Sequence, residues 1–243
     1  MNYATHSYIG TRQVQEDCAG CAETENGFLA VVCDGIGSRA NGGESSRMAV
    51  RRFIEAFRSE YTEDFPQFIT KAAERIDHEV FEAFGSHCGT TVVAAFVQDR
   101  YLYWLSVGDS RLYIVRDGRM RQITTDHNYG YVLELRKQKQ LIDEATYQKE
   151  QKRSGQLASF IGMGGIDIVD VSMNPILLQN GDKLLLTTDG LYKPLAESKM
   201  CDIILSADTP QQGADALLSA VRHCEGSLDN TTFTLVFLDQ RNI

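Results

Sequence analysis

The stretch Leu29-Ala30-Val31-Val32-Cys33-Asp34-Gly35 joins a short apolar run to an aspartate and a glycine. An apolar run of this length, closed by a turn signal, predicts a buried β-strand, and the Asp-Gly pair predicts the tight turn that follows it. The same order recurs in Leu184-Leu185-Leu186-Thr187-Thr188-Asp189-Gly190. The sequence therefore predicts two buried strands, each with a carboxylate at its end.

The composition is that of a globular protein. The chain has 243 residues, of which 43% are hydrophobic and 23% charged, and these values argue against disorder and fibrous repeats. A chain of this length buries a sizeable core without disulfide or metal crosslinks. Because there is no linker-like segment, no internal repeat and only 4 prolines, we expect a single domain over residues 1–243.

The charge balance narrows the class of partners. The 33 acidic residues exceed the 24 basic ones, for a net charge of -9. Nucleic-acid binders usually carry a basic face, so we expect no nucleic-acid partner. The apolar runs are too short to cross a bilayer, and Met1-Asn2-Tyr3-Ala4-Thr5-His6 lacks the features of a secretion signal. These observations predict a cytoplasmic protein without a membrane partner.

Only one pair of cysteines has metal-ligand spacing. Cys18 and Cys21 form a CxxC pair. The remaining cysteines are single and scattered, at Cys33, Cys88, Cys201 and Cys224. A zinc site needs a second pair or a nearby Cys/His partner, and a redox pair needs a helix N-terminus. We favour reduced structural thiols and keep zinc or redox chemistry as the weaker alternatives.

Predicted strands and helices come in clusters. Helical periodicity covers residues 44–61, 64–84, about 131–152 and about 210–224. The predicted strands are residues 28–33, 90–97, 101–107, 111–116, 167–171, 183–187 and 231–238. Because the elements do not strictly alternate, we predict an α+β protein with a mainly antiparallel sheet. The polar stretch 130–155 is expected to cover the surface as a flap.

Further acidic residues lie next to predicted strands. Asp109 follows the strand at 101–107, Asp229 precedes the strand at 231–238, and Glu16-Asp17 lies downstream of Arg12. Converging carboxylates repel one another where they are partly buried, and a divalent cation relieves that repulsion. An all-oxygen ligand set favours Mg²⁺ or Mn²⁺ over zinc. Each Asp-Gly or Asp-Asn pair alone is more simply a turn, so the pattern leaves both interpretations open.

Seven short motifs decide between these interpretations. In chain order they are Arg12-Gln13-Val14-Gln15-Glu16-Asp17, Val32-Cys33-Asp34-Gly35-Ile36-Gly37-Ser38, Gly89-Thr90-Thr91, Gly108-Asp109-Ser110-Arg111, Thr124-Thr125-Asp126-His127, Leu186-Thr187-Thr188-Asp189-Gly190-Leu191 and Asp229-Asn230-Thr231-Thr232. The set resembles the motifs of the metal-dependent protein phosphatases of the PPM (PP2C) family, and the chain is most similar to its bacterial branch. Each motif alone is weak, but the ordered set spans residues 10–238 and is specific.

The resemblance implies a fold and a reaction. The fold is a central sandwich of two antiparallel β-sheets flanked by α-helices, with a flap at about residues 127–160. The reaction is hydrolysis of phosphoserine and phosphothreonine in proteins by a water that bridges two Mn²⁺ or Mg²⁺ ions, without a covalent intermediate. The implied partners are phosphorylated proteins, so that the enzyme counteracts a serine/threonine kinase, and we expect a monomer.

The resemblance also assigns roles to individual residues. It implies that Asp34 bridges both ions and that the Gly35 carbonyl binds one of them, while Asp189 and Asp229 bind the other. Glu16 and Asp17 are implied to hold the water molecules of the ions. The resemblance further implies that Asp109, with Asp189, binds a weaker third ion. The remaining implied role is that of Arg12, which grips the substrate phosphate.

Several positions depart from the family pattern. Ile36 replaces a histidine proposed as general acid in many eukaryotic members, so protonation of the leaving group by water is favoured. Lys193 replaces an additional aspartate found in some members, which implies a weaker third ion site. Ser38-Arg39 replaces the usual Gly-His, and Gly42-Gly43-Glu44 matches only with a shift of one residue.

Two alternatives to a protein phosphatase stay open. The irregular segment 38–44 motivates an inactive, phosphatase-like regulatory or binding module, although Asp34, Asp189 and Asp229 are all retained. A phosphatase that acts on a small phosphorylated metabolite is the other alternative, because selectivity depends on the flap and loops.

Overall fold

The computed structural model describes residues 1–37 and 41–238. Its strands are β1 (Asn2–Tyr8), β2 (Cys18–Thr24), β3 (Gly27–Cys33), β4 (Gly35–Ile36), β5 (Gly89–Thr90), β6 (Val92–Gln98), β7 (Tyr101–Val107), β8 (Arg111–Arg116), β9 (Arg119–Gln122), β10 (Asp170–Val171), β11 (Ile176–Leu177), β12 (Lys183–Thr187) and β13 (Thr231–Phe237). Its helices are α1 (Asn41–Glu60), α2 (Phe65–Phe84), α3 (Tyr129–Gln138), α4 (Glu144–Glu150), α5 (Asp189–Tyr192), α6 (Glu197–Leu205) and α7 (Pro210–Arg222).

Two antiparallel sheets form the centre of the molecule. The first has the strand order β1-β13-β12-β8-β9, and the second has the order β10-β7-β6-β3-β2, with β11 also paired to β7. A short third ladder joins β4 to β5, with Gly35 opposite Thr90. Every strand pair is antiparallel, as the clustered elements predict.

Strand β3 shows why the sheets are buried on both faces. Its residues Leu29, Val31 and Cys33 pack in one apolar cluster with helices α1 and α2. The alternate residues Ala30 and Val32 pack in a second cluster, with strands of the other sheet. Side chains of a strand alternate between its two faces, so a strand covered on both sides is apolar throughout.

The outer layers are helical. Helices α1 and α2 cover the second sheet, and α6 and α7 cover the first. The predicted α+β sandwich of two antiparallel sheets flanked by helices is therefore confirmed. Local signals set the bounds of α2, because the Asp64 carboxylate accepts from the backbone N–H of Gln67 at 3.1 Å and Gly85 follows the last turn at φ +78°.

The sequence predicts one helix over about residues 131–152, but the structure has two. The segment forms α3 and α4, followed by a 3₁₀ turn at Gln151–Arg153. Gln140 between the helices adopts φ +56°, a left-handed conformation that interrupts a right-handed helix. The predicted strand at 167–171 is reduced to Asp170–Val171. Of the irregular segment 38–44, residues 38–40 lie outside the described residues, and the rest belongs to α1.

The described part of the chain contains no helix with the length and apolar character that crossing a bilayer requires.

All six cysteines carry free thiols. Cys18 and Cys21 lie in strand β2, not at a helix N-terminus, and this placement favours the structural interpretation of the CxxC pair.

Candidate metal and phosphate site

The carboxylates predicted from the strand ends meet at one end of the sandwich. Asp34 follows β3, Asp189 begins α5 directly after β12, and Asp229 precedes β13. Asp109 lies in the turn between β7 and β8. With Glu16 they line one cavity of about 530 Å³. The topology brings them together because these strand ends lie on the same side of the two facing sheets.

The backbone of Asp34 is fixed by the neighbouring ladder. Its N–H donates to the Thr91 hydroxyl at 3.0 Å, and its carbonyl accepts from the Thr90 hydroxyl at 2.9 Å and from the Thr91 N–H at 2.8 Å. The next residue, Gly35, must be glycine, because a Cβ there would collide with the Gly42 carbonyl. The Asp-Gly pair therefore places a rigid carboxylate beside a closely approached backbone.

Asp17 lies behind the cavity and is 4% exposed. The Thr188 hydroxyl donates to its Oδ2 at 2.8 Å. Burial, reinforced by the charge of Asp189, raises the pKa of Asp17 to about 7. Asp17 is thus a buried carboxylate that is costly to ionise in the absence of a cation.

The pKa values of Asp34 and Asp109 are also raised. Burial first, and then the charges of Asp17, Asp189, Asp109 and Asp229, raise the pKa of Asp34 well above its ordinary value. Burial and the charge of Asp189 raise the pKa of Asp109 to about 6. Because like charges at close range disfavour ionisation, this cavity has a deficit of positive charge.

Two basic side chains partly offset that deficit. Arg12 donates from Nη2 to Oδ2 of Asp229 at 2.6 Å, and this contact raises the pKa of Arg12. Lys193 forms an ion pair with Asp189 one turn earlier in the chain. Arg12 and Lys193 both line the cavity, so two of the four predicted aspartate ligands already carry a cationic partner.

The turn that carries Asp109 is held by Tyr192 and His127, which no carboxylate or strand-end pattern singles out. The Tyr192 hydroxyl donates to the Asp109 carbonyl at 3.0 Å. His127 donates its backbone N–H to the Gly108 carbonyl at 2.9 Å and accepts the Gly108 N–H on Nδ1 at 3.2 Å. Arg111 lies 3.7 Å from the ring centre of Tyr192. Tyr192 belongs to none of the seven motifs, whereas His127 closes the motif Thr124-Thr125-Asp126-His127.

Asn230 and the segment 155–160 complete the cavity. The Asn230 amide accepts the Glu16 N–H on Oδ1 at 2.8 Å and donates to the Ile9 carbonyl at 2.8 Å. Gln156, Leu157 and Phe160 form one wall. The Asp-Asn motif signals Asn230, but no pattern in the sequence singles out the wall residues within the predicted flap.

The donor set fits divalent cations with a preference for oxygen. The side chains are carboxylates, and the backbone carbonyl of Gly35 adjoins them, which is the ligand chemistry of Mg²⁺ and Mn²⁺. In residues 1–37 and 41–238, no three Cys, His, Asp or Glu side chains form a closed ligand group. Asp229 and Asp189 are paired instead with the basic side chains of Arg12 and Lys193.

Comparison with known proteins gives a consistent match. The model of the family described as protein phosphatase 2C matches residues 6–211. The serine/threonine phosphatase stp of Listeria monocytogenes is 30% identical over 238 residues, covering 94% of this chain and 92% of the relative. Protein phosphatase PhpP of Streptococcus pneumoniae is 28% identical over 221 residues, covering 88% of this chain and 87% of the relative.

Solved structures share the fold over almost the whole chain. The PPM Ser-Thr phosphatase MsPP from Mycobacterium smegmatis, solved in complex with cacodylate, has a TM-score of 0.76 and 28% identity, with 98% of each chain covered.

Proposed function

Because the chain belongs to the protein phosphatase 2C family, we propose that it hydrolyses phosphoserine and phosphothreonine in proteins, with Mn²⁺ or Mg²⁺ as cofactor. The observation that carries this proposal is the set of carboxylates that converge on one cavity beside Arg12. An acidic cavity repels a phosphate dianion unless cations reside in it. Bound divalent ions remove that obstacle.

We assign the metal-binding roles as follows. Asp34, the Gly35 carbonyl, Asp189 and Asp229 would hold two ions, with the Gly35 carbonyl as a ligand of one of them. Asp109, with Asp189, would hold a weaker third ion. When bound, the ions supply Lewis acidity that activates water and offsets the charge of the phosphoryl oxygens.

Glu16, which lines the cavity, and Asp17, which lies behind it, would hold the water molecules of the ions. Glu16 is fixed through its backbone, whose carbonyl accepts from the Gly35 N–H at 3.1 Å and from the Ser46 hydroxyl at 2.5 Å. Asp17 is fixed by the Thr188 hydroxyl. Carboxylates in these positions would accept hydrogen bonds from a water molecule.

Arg12 binds the substrate phosphate. Its guanidinium group presents planar, paired donors that match two phosphate oxygens, and its side chain is 55% exposed. In the structure its partner is the Asp229 carboxylate. An ion at Asp229 would compete for that carboxylate and free the guanidinium group for substrate.

We propose direct attack by water rather than a phosphoenzyme. The described residues that line the cavity include no cysteine, serine, threonine or histidine. Ile36 lines the cavity and has no proton to give, so water protonates the leaving group.

The remaining features of the proposal concern the protein as a whole. We propose that residues 1–243 form one phosphatase domain whose flap is the segment of about 127–160. Its substrates are proteins phosphorylated by a serine/threonine kinase, and it acts as a monomer in the cytoplasm. The free thiols support a reducing compartment.

The test is hydrolysis of phosphoserine, phosphothreonine and phosphotyrosine peptides by protein stripped of metal with a chelator. We expect turnover of the first two peptides only after addition of Mn²⁺ or Mg²⁺. A folded protein that hydrolyses none of them with either ion would overturn the proposal. Binding of phosphopeptide without turnover would favour the inactive module, and turnover of small phosphate esters alone would favour a metabolite phosphatase.

A further inference from the structure

A buried carboxylate outside the cavity holds the segment that forms one of its walls. Asp77 lies on α2 and is 0% exposed. Its Oδ1 accepts the backbone N–H groups of Gly162 at 2.7 Å and of Met163 at 2.9 Å. Hydrogen bonds to a carboxylate are stronger than those to a neutral acceptor, so Asp77 is a firm anchor for this backbone.

The anchored segment has little conformational preference of its own. Gly162 adopts φ +108°, and a Cβ at that position would lie 2.8 Å from the Cys88 carbonyl oxygen. Gly164 follows at φ +79°. Because glycine populates many backbone conformations, contacts from elsewhere in the molecule must select the observed one.

The anchor leads directly to the wall of the cavity. Ile161, next to Gly162, exchanges two backbone hydrogen bonds with Thr90, at 2.8 and 2.9 Å. Phe160 packs over Gly89 and lines the cavity together with Gln156 and Leu157. Fixing residues 161–163 therefore fixes the point at which the wall joins the sheet.

The same contacts continue to Asp34. The Thr90 hydroxyl donates to the Asp34 carbonyl at 2.9 Å, and the Thr91 N–H donates to the same oxygen at 2.8 Å. Hydrogen bonds from Asp77 to Gly162, from Ile161 to Thr90 and from Thr90 to Asp34 thus connect the anchor to the cavity, with Gly162 and Ile161 joined by their peptide bond.

We propose that Asp77 is a positioning residue, which sets the wall at 156–160 and the adjoining ladder against the cavity so that a phosphoprotein substrate can be bound. The positioning itself is a property of the fold, and its kinetic consequence rests on the proposed phosphatase function. The experiment therefore has a structural readout that needs no activity.

Three variants separate positioning from stability. Asp77→Asn keeps an acceptor oxygen of the same shape, and Asp77→Ala removes it. Ile76→Ala is the matched control, because Ile76 is also 0% exposed on α2 and makes no hydrogen bond to residues 160–163 in the described structure. Asp77→Ser, which lacks an acceptor at the right reach, replaces the alanine variant if that variant does not fold.

The first readout is hydrogen exchange of the backbone amides. In the wild-type protein, the amides of Gly162 and Met163 should be protected, as that of Ile161 is expected to be. In Asp77→Ala their exchange should accelerate at least about tenfold, whereas Asp77→Asn should stay within about threefold. Unprotected amides in the wild-type protein, or equal acceleration at these two amides in Ile76→Ala, would overturn the proposal without reference to activity.

The second readout compares the effect of each variant on KM with its effect on kcat. We expect Asp77→Ala to raise KM for a phosphopeptide by about tenfold and KM for p-nitrophenyl phosphate much less, because a peptide is long enough to extend along the wall beyond the phosphate position. Asp77→Asn should restore wild-type values. Equal effects on both substrates would contradict positioning of the wall. A wild-type protein with protected amides but no phosphatase activity would instead contradict only the proposed function.

Discussion

Arg12 donates a hydrogen bond of 2.6 Å to Asp229, so the group proposed to grip phosphate is paired with a proposed metal ligand. This contact would couple two events in the cavity. A divalent ion at Asp229 would compete with the guanidinium group for the carboxylate and free that group to bind a phosphate. Metal binding would therefore prepare the site for substrate.

Replacement of Arg12 tests that coupling. We expect Arg12→Ala to lower kcat/KM about 10- to 100-fold, mainly through KM, because charged hydrogen bonds to the phosphate are lost. Arg12→Lys should retain part of the activity, since it keeps the charge but not the planar donors. The Mn²⁺ affinity of Arg12→Ala, measured by calorimetry, should rise because Asp229 loses its competitor. Unchanged KM together with unchanged Mn²⁺ affinity would contradict the assignment.

The carboxylates at the strand ends should be indispensable. We expect Asp34→Ala and Asp189→Ala to lower kcat by about a thousandfold or more, because metal-ion catalysis contributes several kcal/mol. Asp215→Ala is the control, since that carboxylate lies on α7 in an exposed contact with His6. Wild-type turnover in Asp189→Ala would refute the proposed ligand set.

The stability of the metal-free protein should fall as pH rises. The pKa of Asp17 is raised from 3.8 to about 7, and that of Asp109 from 3.8 to about 6. Between the lower and the raised values, the folded protein binds more protons than the unfolded chain, so the free energy of unfolding decreases with pH. The contribution of Asp17 and Asp109 to the free energy of unfolding is fully present below about pH 4 and is lost above about pH 7.

Bound divalent ions should offset the loss of stability at high pH. We expect Mg²⁺ to raise Tm more at pH 8 than at pH 5, because the carboxylates that it compensates are ionised at the higher pH and protons compete at the lower one. Thermal unfolding with and without Mg²⁺ at both pH values measures the difference. The same experiment on Asp34→Ala should give a smaller pH-dependent gain. Equal increments in the wild-type protein at both pH values would be the contrary result.

Lys193 should weaken the third ion site. Its ammonium group pairs with Asp189, and its charge also acts on Asp109. We expect Lys193→Met to tighten the weakest Mn²⁺ site by about three- to tenfold, measured by calorimetry or by electron paramagnetic resonance of free Mn²⁺. Lys199→Met, an exposed change on α6, should leave binding unchanged. A titration of Lys193→Met that matches the wild-type protein would remove Lys193 from this account.

One ion pair far from the cavity should contribute to stability alone. Arg116 donates to both oxygens of Asp182, at 2.8 and 2.5 Å, and Asp182 is 1% exposed. Arg116→Ala leaves this carboxylate buried without its cation, so we expect a loss of about 3 kcal/mol in the free energy of unfolding and a decrease in Tm of roughly 6–12 °C. Arg119→Ala, an exposed change on β9, should cost less than about 0.5 kcal/mol. Similar Tm values for both variants would show that the Arg116 pair is not stabilising.

The sequence was sufficient for the family and for the sandwich fold, and both predictions are confirmed. The reason is physical: strands buried on both faces, such as β3, are apolar throughout, and the residues at their ends stand out as acidic. The positions of Asp34, Asp109, Asp189 and Asp229 followed from those strand ends. Their convergence could be stated only because the ordered motifs resemble a known family.

Other elements carried weak signals. Strand β1 was not predicted, because as an edge strand with only Ala4 fully buried it mixes polar and aromatic residues. Helix α6 is only 9 residues long, too short for a clear apolar period. The break at Gln140 depends on a backbone conformation that glutamine seldom adopts. Asp77 belongs to an amphipathic helix, and only its contact with a segment 85 residues away distinguishes it from a surface carboxylate.

The most direct test of the proposed metal site is an anomalous difference map from crystals of the wild-type protein soaked in Mn²⁺. We predict two strong peaks in the cavity, a few ångströms apart, within ligand distance of Asp34, Asp189 and Asp229, with the Arg12 guanidinium group turned away from Asp229. A fully soaked crystal without peaks between these carboxylates would contradict the two-ion phosphatase.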